Sequence, residues 1–282
     1  MEIRTFGVVG AGQMGAGIAQ VAAMSGLRVI MSDIDDACVR RGMTAIEQSL
    51  SKGVEKGKTT EMEKTAALSR LTPGTDMEVM TAADFVVEAA TESEALKIDV
   101  FKSLDRICRP EVILATNTSS IPIGRLAGKT RRPGKVIGMH FMNPVPLMAL
   151  VEVIRGIATD QDTFQTTWDL AIRFGKVPAE ANDFPGFIAN RILMPMINEA
   201  IFALYHGVGS REAVDTVMKL GMNHPMGPLE LADLIGLDTC LAIMETIYDG
   251  FKDPKYRPCP LLRKYVEAGW LGRKTKKGFY EY

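Results

Sequence analysis

The stretch Gly10-Ala11-Gly12-Gln13-Met14-Gly15 constrains this chain more than any other. It follows Ile3-Arg4-Thr5-Phe6-Gly7-Val8-Val9, an apolar, β-branched run that predicts a buried strand. Beyond it, Ile18, Ala19, Ala22 and Ala23 recur at helical spacing, and Gly26 closes the segment. Strand, tight glycine turn and helix in that order make a phosphate cradle. Gly10 permits the turn, Gly12 lets backbone approach a pyrophosphate, and Gly15 lets helix pack on strand. Gln13 and Met14 open the helix, whose N-terminus supplies N–H groups and a positive dipole end. A second predicted strand, 27–32, ends at Asp33, where a carboxylate can accept the hydroxyls of a ribose and repel a 2′-phosphate. The expectation is a dinucleotide site, NAD preferred, built from Gly10, Gly12, Gln13, Met14, Gly15 and Asp33.

The remainder of the chain sorts into two halves. Apolar runs at 84–89, 112–116, 135–140 and 147–154 predict further strands, with helices at 35–57, 59–69 and 93–107. After Ala181-Asn182-Asp183-Phe184-Pro185-Gly186 nearly everything reads as helix, beginning with an apolar helix from about Phe187 to Leu204. The expected organisation is therefore α/β: a Rossmann-type dinucleotide-binding domain, 1–183, followed by an all-helical C-terminal domain, 184–282. The length of 282 residues suits two such domains. A net charge of −1 leaves no basic excess to hold nucleic acid. Arg191, Asn198 and Glu199 make the most apolar helix too polar to span a membrane. Cys38, Cys108, Cys240 and Cys259 are scattered, which argues against a disulfide framework or a metal site. The N-terminus reads as a strand without a signal-peptide pattern, so a cytoplasmic location is expected.

Two places carry candidate chemistry. The strand 112–116 breaks into Asn117-Thr118-Ser119-Ser120, and loops after strand C-termini are where open α/β sheets bind ligands. Glu152 lies among Leu150, Val151, Val153 and Ile154, where a carboxylate is expensive to bury unless paired. His140 ends the neighbouring strand and is the expected partner, whereas His206 and His224 read as a helix end and a loop residue. A neutral imidazole backed by a carboxylate suits proton transfer near neutral pH, the step that must accompany hydride transfer from an alcohol. Ser119 and Asn190 could hold the oxygen that alternates between hydroxyl and carbonyl. By contrast Gly124-Arg125-Leu126-Ala127-Gly128-Lys129-Thr130 is one spacer short of a P-loop and follows no buried strand. Ser49, Lys52 and Lys56 share one helix face, which spacing alone reads as a solvated basic surface.

Taken together, several of these motifs resemble the short-chain L-3-hydroxyacyl-CoA dehydrogenases, and within them the bacterial 3-hydroxybutyryl-CoA branch. The resemblance spans essentially the whole chain. It rests on the glycine loop, Val87-Glu88-Ala89, Asn117 to Ser120, His140-Phe141-Met142-Asn143-Pro144, Val151-Glu152-Val153 and Pro185-Gly186-Phe187. Asn190-Arg191, Pro225-Met226-Gly227-Pro228 and Gly278-Phe279-Tyr280 complete it. It implies His140 as catalytic base, Glu152 as its partner, and Ser119 and Asn190 as contacts to the reacting group. It implies NAD contacts at Asp33, Glu92, Lys97, Asn143 and Lys274. It also turns the basic face of Ser49, Lys52 and Lys56 into a coenzyme A site, and implies a homodimer built on the C-terminal domain. Met142 stands where family members usually carry Phe, which bears on pocket shape. The nearest rival is a dehydrogenase of similar build acting on a sugar acid or small hydroxy acid without CoA. Its 6-phosphogluconate type needs a lysine base four residues before the asparagine, where this chain has Gly186, whereas a sugar-acid enzyme that keeps the His–Glu pair stays open as an alternative. A non-catalytic dinucleotide-binding protein would have no use for a buried His–Glu pair.

Overall fold

In the computed structural model, which describes residues 2–282, the chain forms two compact units, the first ending at Asp183 and the second spanning Phe184–Tyr282. The first unit is an alternation of strands and helices. In chain order these are β1 (Thr5–Val9), α1 (Gln13–Met24), β2 (Arg28–Ser32), α2 (Asp36–Glu55), α3 (Glu61–Ser69) and β3 (Leu71–Gly74). Then come β4 (Phe85–Glu88), α4 (Glu94–Ile107), β5 (Ile113–Thr116), α5 (Ile123–Ala127), β6 (Val136–Phe141), β7 (Leu150–Arg155), α6 (Gln161–Arg173) and β8 (Val177–Asn182).

The strands join in one eight-stranded sheet of order β3-β2-β1-β4-β5-β6-β7-β8. All neighbours are parallel except β6 and β7. β1, β4, β5 and β6 are buried throughout, which explains their unbroken apolar runs. Their core joins Phe6, Phe85, Phe141 and Phe174 with the small face of α1, where Ala16, Ile18, Ala19, Ala22 and Ala23 are buried. Because the chain reverses direction across the sheet between β1 and β4, the crevice beyond those strand ends is the place where such sheets take ligands.

Three elements of this unit were not expected from the sequence: β3, α6 and β8. β3 and β8 are the two edges of the sheet, and each contains a proline, Pro73 and Pro178, which only an edge strand tolerates. The buried face of α6 carries Thr163 and Thr167 beside Phe164, Leu170 and Ala171, which blurs its apolar stripe. The strand expected at 147–154 begins only at Leu150. Leu147 and Met148 instead form a turn, both amides donating to the Pro144 carbonyl.

The second unit is helical: α7 (Ala189–Tyr205), α8 (Arg211–Thr216), α9 (Pro228–Ile235), α10 (Leu237–Phe251) and α11 (Pro260–Glu267). α8 runs on into a π-helical turn, Val217–Gly221. Met194, Ile197 and Ile201 of α7 pack with Leu229, Leu237, Met244, Ile247 and Leu262 into its own core. Asn198, polar at a buried position, is satisfied by the Arg257 carbonyl and the Cys259 amide. The basic tail turn is tied down by Asp233, whose carboxylate accepts from the amides of Phe279 and Tyr280. Among the described residues no helix is long and apolar enough to cross a membrane.

Candidate functional site

The glycine loop is shaped by contacts that admit no side chain. Gly10 has φ 104°, and a Cβ there would lie 2.7 Å from the Ala89 carbonyl oxygen at the end of β4. A Cβ on Gly15 would lie 1.8 Å from the Gly10 carbonyl oxygen, so α1 rests directly on the turn. At Gly12 the situation is the reverse, since nothing stands within 4 Å of such a Cβ. The loop is thus closed on its sheet side and open at Gly12, as a backbone cradle for a pyrophosphate has to be. Asp33 follows β2, its Oδ2 accepting from the Ala11 amide at 2.6 Å and its Oδ1 from the Ile34 amide at 2.7 Å. Its carboxylate is held at the rim of a hollow of about 270 Å³ that Gly12, Gln13, Cys38 and Arg41 also line. Arg41 and Cys38 had no signal in the sequence beyond lying on the helix after Asp33. These residues fit the adenosine half of a dinucleotide.

Beside this loop, the ends of β4 and β5 carry a buried ionic network. Glu88 is fully buried, with Oε1 taking Lys97 Nζ at 2.6 Å and the Ala90 amide, and Oε2 taking the Thr116 hydroxyl at 2.7 Å. Lys97 is only 1% exposed and also donates to the Ala90 carbonyl at 3.1 Å. Its ammonium lies 3.5 Å from Glu92, which is half exposed. One oxygen of Glu92, Oε1, gathers three of the four residues Asn117 to Ser120, accepting from the hydroxyls of Thr118, Ser119 and Ser120 and from the Ser119 amide. Burial pushes the Glu92 carboxyl up, but the Lys97 charge and these donors outweigh it and hold it below its ordinary value. Of the two expected cofactor contacts, Glu92 reaches the surface while Lys97 sits behind it. Glu88 carried no expected role.

The third feature comes from strand register. β6 and β7 are antiparallel with His140 directly opposite Glu152, so both side chains leave the sheet on one face. Nδ1 of His140 lies 2.7 Å from Oε2 of Glu152, and the two residues are 7% and 1% exposed. Asn117 draws the quartet loop to the same strand, its Oδ1 accepting from the Phe141 amide at 2.8 Å. The geometry therefore joins His140 to Glu152 and sets the loop bearing Ser119 beside them.

A fourth feature is a cleft of about 510 Å³ bordered by Ser49 and Lys52 of α2 and by Lys56, which caps the end of that helix. Lys58, Thr59 and Gln20 also line it, as do Pro144, Pro146 and Leu147 from the loop between β6 and β7. Lys58 adds a third ammonium that the sequence reading passed over, although it lies only two residues beyond Lys56. Asn143 opens that same loop and is exposed.

In the second unit Asn190 is the second residue of α7 and half-buried. The Arg191 guanidinium is stacked 4.2 Å from both the Phe251 and Tyr256 rings, which gives it a packing role. Lys274 is exposed and pairs with Asp238 at 2.5 Å. His206 caps α7 and His224 lies in a loop, each where the sequence put it.

Comparison with known proteins bears on the whole chain. Residues 5–184 match the family model described as the 3-hydroxyacyl-CoA dehydrogenase NAD binding domain, and residues 186–282 match the C-terminal domain of the same enzymes. A 3-hydroxybutyryl-CoA dehydrogenase of Bradyrhizobium diazoefficiens is 55% identical over 280 residues, covering 99% of this chain and 96% of that protein. One from Clostridioides difficile is 49% identical, covering 98% of each. The crystal structure of (S)-3-hydroxybutyryl-CoA dehydrogenase PaaH1 from Ralstonia eutropha superposes with a TM-score of 0.98 at 52% identity, covering 100% of this chain and 99% of that one.

Proposed function

The chain belongs to the NAD-dependent 3-hydroxyacyl-CoA dehydrogenase family of oxidoreductases, and from that premise we propose that it interconverts (S)-3-hydroxybutyryl-CoA and acetoacetyl-CoA. The observation that carries the mechanism is the buried His140–Glu152 pair. With Nδ1 engaged by Glu152, the imidazole presents Nε2 as the proton-transferring nitrogen. In oxidation neutral His140 takes the proton of the C3 hydroxyl; in reduction the imidazolium returns it to the carbonyl oxygen. Glu152 fixes the tautomer and stabilises the positive ring that forms. NAD held by the glycine loop and Asp33 would supply the hydride chemistry at C3. Ser119 is proposed to hold the substrate oxygen, supported by its place on the loop that Glu92 organises. Asn190 is proposed for the same oxygen on the resemblance.

For the cofactor, we assign the pyrophosphate to Gly10, Gly12, Gln13, Met14 and Gly15, and the adenosine ribose to Asp33. Glu92, Lys97, Asn143 and Lys274 are kept as further contacts, Lys97 acting from behind Glu92. Asp33 should favour NAD(H) over NADP(H), because its carboxylate would meet a 2′-phosphate as a like charge. We expect Asp33→Ala to narrow that preference in steady-state assays with both cofactors. Equal efficiency of the wild type with NADH and NADPH would overturn this role.

The basic cleft of Ser49, Lys52 and Lys56 is assigned to coenzyme A, whose phosphates suit its ammonium groups. The deciding assay compares NADH oxidation with acetoacetyl-CoA and with free acetoacetate. Turnover of the thioester at far higher kcat/KM is expected, and equal use of both would reject the CoA reading.

A homodimer formed by the helical unit is proposed from its exposed apolar surface. Ile192, Val208, Val217 and Leu220 are 66%, 79%, 58% and 82% exposed, and Val208 and Val217 line a hollow of about 490 Å³ with Met196, Ala200, Ala203 and Met218. Sedimentation at micromolar protein is expected to give twice the chain mass of 30.8 kDa, and a monomer there would reject the proposal. The cytoplasm is the proposed location, in keeping with three buried cysteines that remain free thiols.

A further inference from the structure

Lys176 is a buried lysine to which the mechanism gives no task. It lies between α6 and β8, is 8% exposed, and is held by its own amide on the Ala171 carbonyl. Its ammonium donates to two backbone carbonyls, those of Val145 at 2.5 Å and Met148 at 2.8 Å. Burial draws its pKa below the ordinary lysine value, and among the described residues no acidic group offsets that loss of hydration. Burying a cation is costly, and here the two carbonyls take the place of its lost water.

Both carbonyls belong to the loop that joins β6 to β7, and with it His140 to Glu152. On its other side the same loop is seated on α1, where a Cβ on Gly17 would come 2.8 Å from Cβ of Val145. Val145 is 2% exposed. The anchored carbonyls of residues 145 and 148 bracket Pro146 and Leu147, which line the cleft together with Lys52, Lys56 and Lys58. Leu147 is 71% exposed, so its own packing does little to fix it.

We propose that Lys176 is a positioning residue for the thioester substrate, pinning the β6–β7 loop so that Pro144, Pro146 and Leu147 stand as a preformed wall of the coenzyme A cleft. This rests on the reading of that cleft as the coenzyme A site. A loop ordered in advance spares the substrate the entropy of ordering it on binding. The ammonium is suited to the task because one group reaches two carbonyls, and hydrogen bonds from a charged donor are stronger than neutral ones.

The test uses the full chain with NADH bound and the variant Lys176→Met, which keeps the length and apolar stem but loses every donor. Hydrogen exchange of the amides of Val145, Leu147, Met148 and Ala149 is expected to quicken by about tenfold or more, with β6 and β7 protected as in the wild type. KM for acetoacetyl-CoA is expected to rise by about tenfold with kcat little changed. Lys176→Arg, which restores donors, should return both values toward the wild type. If Lys176→Met does not fold, Lys176→Gln, which keeps one donor group at shorter reach, is read in the same way. Unchanged exchange in the loop overturns the proposal. Faster exchange with unchanged KM also overturns it, because the wall then does not serve the substrate. In that case Lys52→Ala/Lys56→Ala separates the two readings. A raised KM in the double variant leaves the cleft assignment standing while Lys176 loses its role; an unchanged KM removes the cleft assignment as well.

Discussion

His140→Gln is expected to lower kcat by about two to four orders of magnitude, the usual contribution of a positioned acid–base group. NADH binding should barely change, because none of the groups assigned to the cofactor is touched. The loss should be the same in both directions of the reaction, since one nitrogen takes the proton in oxidation and returns it in reduction. Glu152→Gln is the more discriminating companion. It keeps the shape at a site that is 1% exposed but removes the charge 2.7 Å from the ring. The positive ring that forms as the proton is taken is then less well stabilised, so kcat for oxidation of the 3-hydroxyacyl thioester should fall by about tenfold or more. Steady-state oxidation with saturating NAD reads this directly. If Glu152→Gln leaves kcat alone, the carboxylate serves the fold only, and the paired mechanism fails.

The second large effect is expected in KM. Lys52→Ala/Lys56→Ala removes two of the three ammonium groups along the cleft, the third being Lys58. Charged hydrogen bonds to phosphate are each worth about 1 to 2 kcal/mol, so with two of them lost KM for acetoacetyl-CoA should rise by about thirty- to several-hundredfold. kcat should change less, because contacts remote from C3 bind ground state and transition state alike. A short acetoacetyl thioester that lacks the nucleotide supplies the control, and its KM should stay near the wild-type value. A matching rise for that short substrate would mean that the lysines shape the pocket rather than bind coenzyme A.

The sequence was readable wherever burial on both faces left a plain mark. β1, β2, β4, β5 and β6 read as apolar runs because helices or neighbouring strands cover them on each side. The glycine loop was equally legible, since backbone contacts as close as those at Gly10 and Gly15 exclude every other residue. Glu152 showed itself by contrast, as a lone carboxylate in an apolar strand. The edge strands β3 and β8 gave no such mark. An edge needs hydrogen bonds on one side only and admits proline and polar residues, so its composition is that of a loop.

By itself, then, the sequence determined the order of strand, glycine turn and helix, the change to helical character after Asp183, and the need for a partner to Glu152. Each follows from local stereochemistry or from the cost of burying charge, which act on a residue wherever its neighbours come from. Tertiary structure alone decided the register that sets His140 opposite Glu152, and the gathering of Thr118, Ser119 and Ser120 on one oxygen of Glu92. It also buried Lys176, to which the sequence assigned no role, with its ammonium on the carbonyl of Met148, 28 residues away. These depend on which strands become neighbours, and that is settled by the packing of the whole sheet.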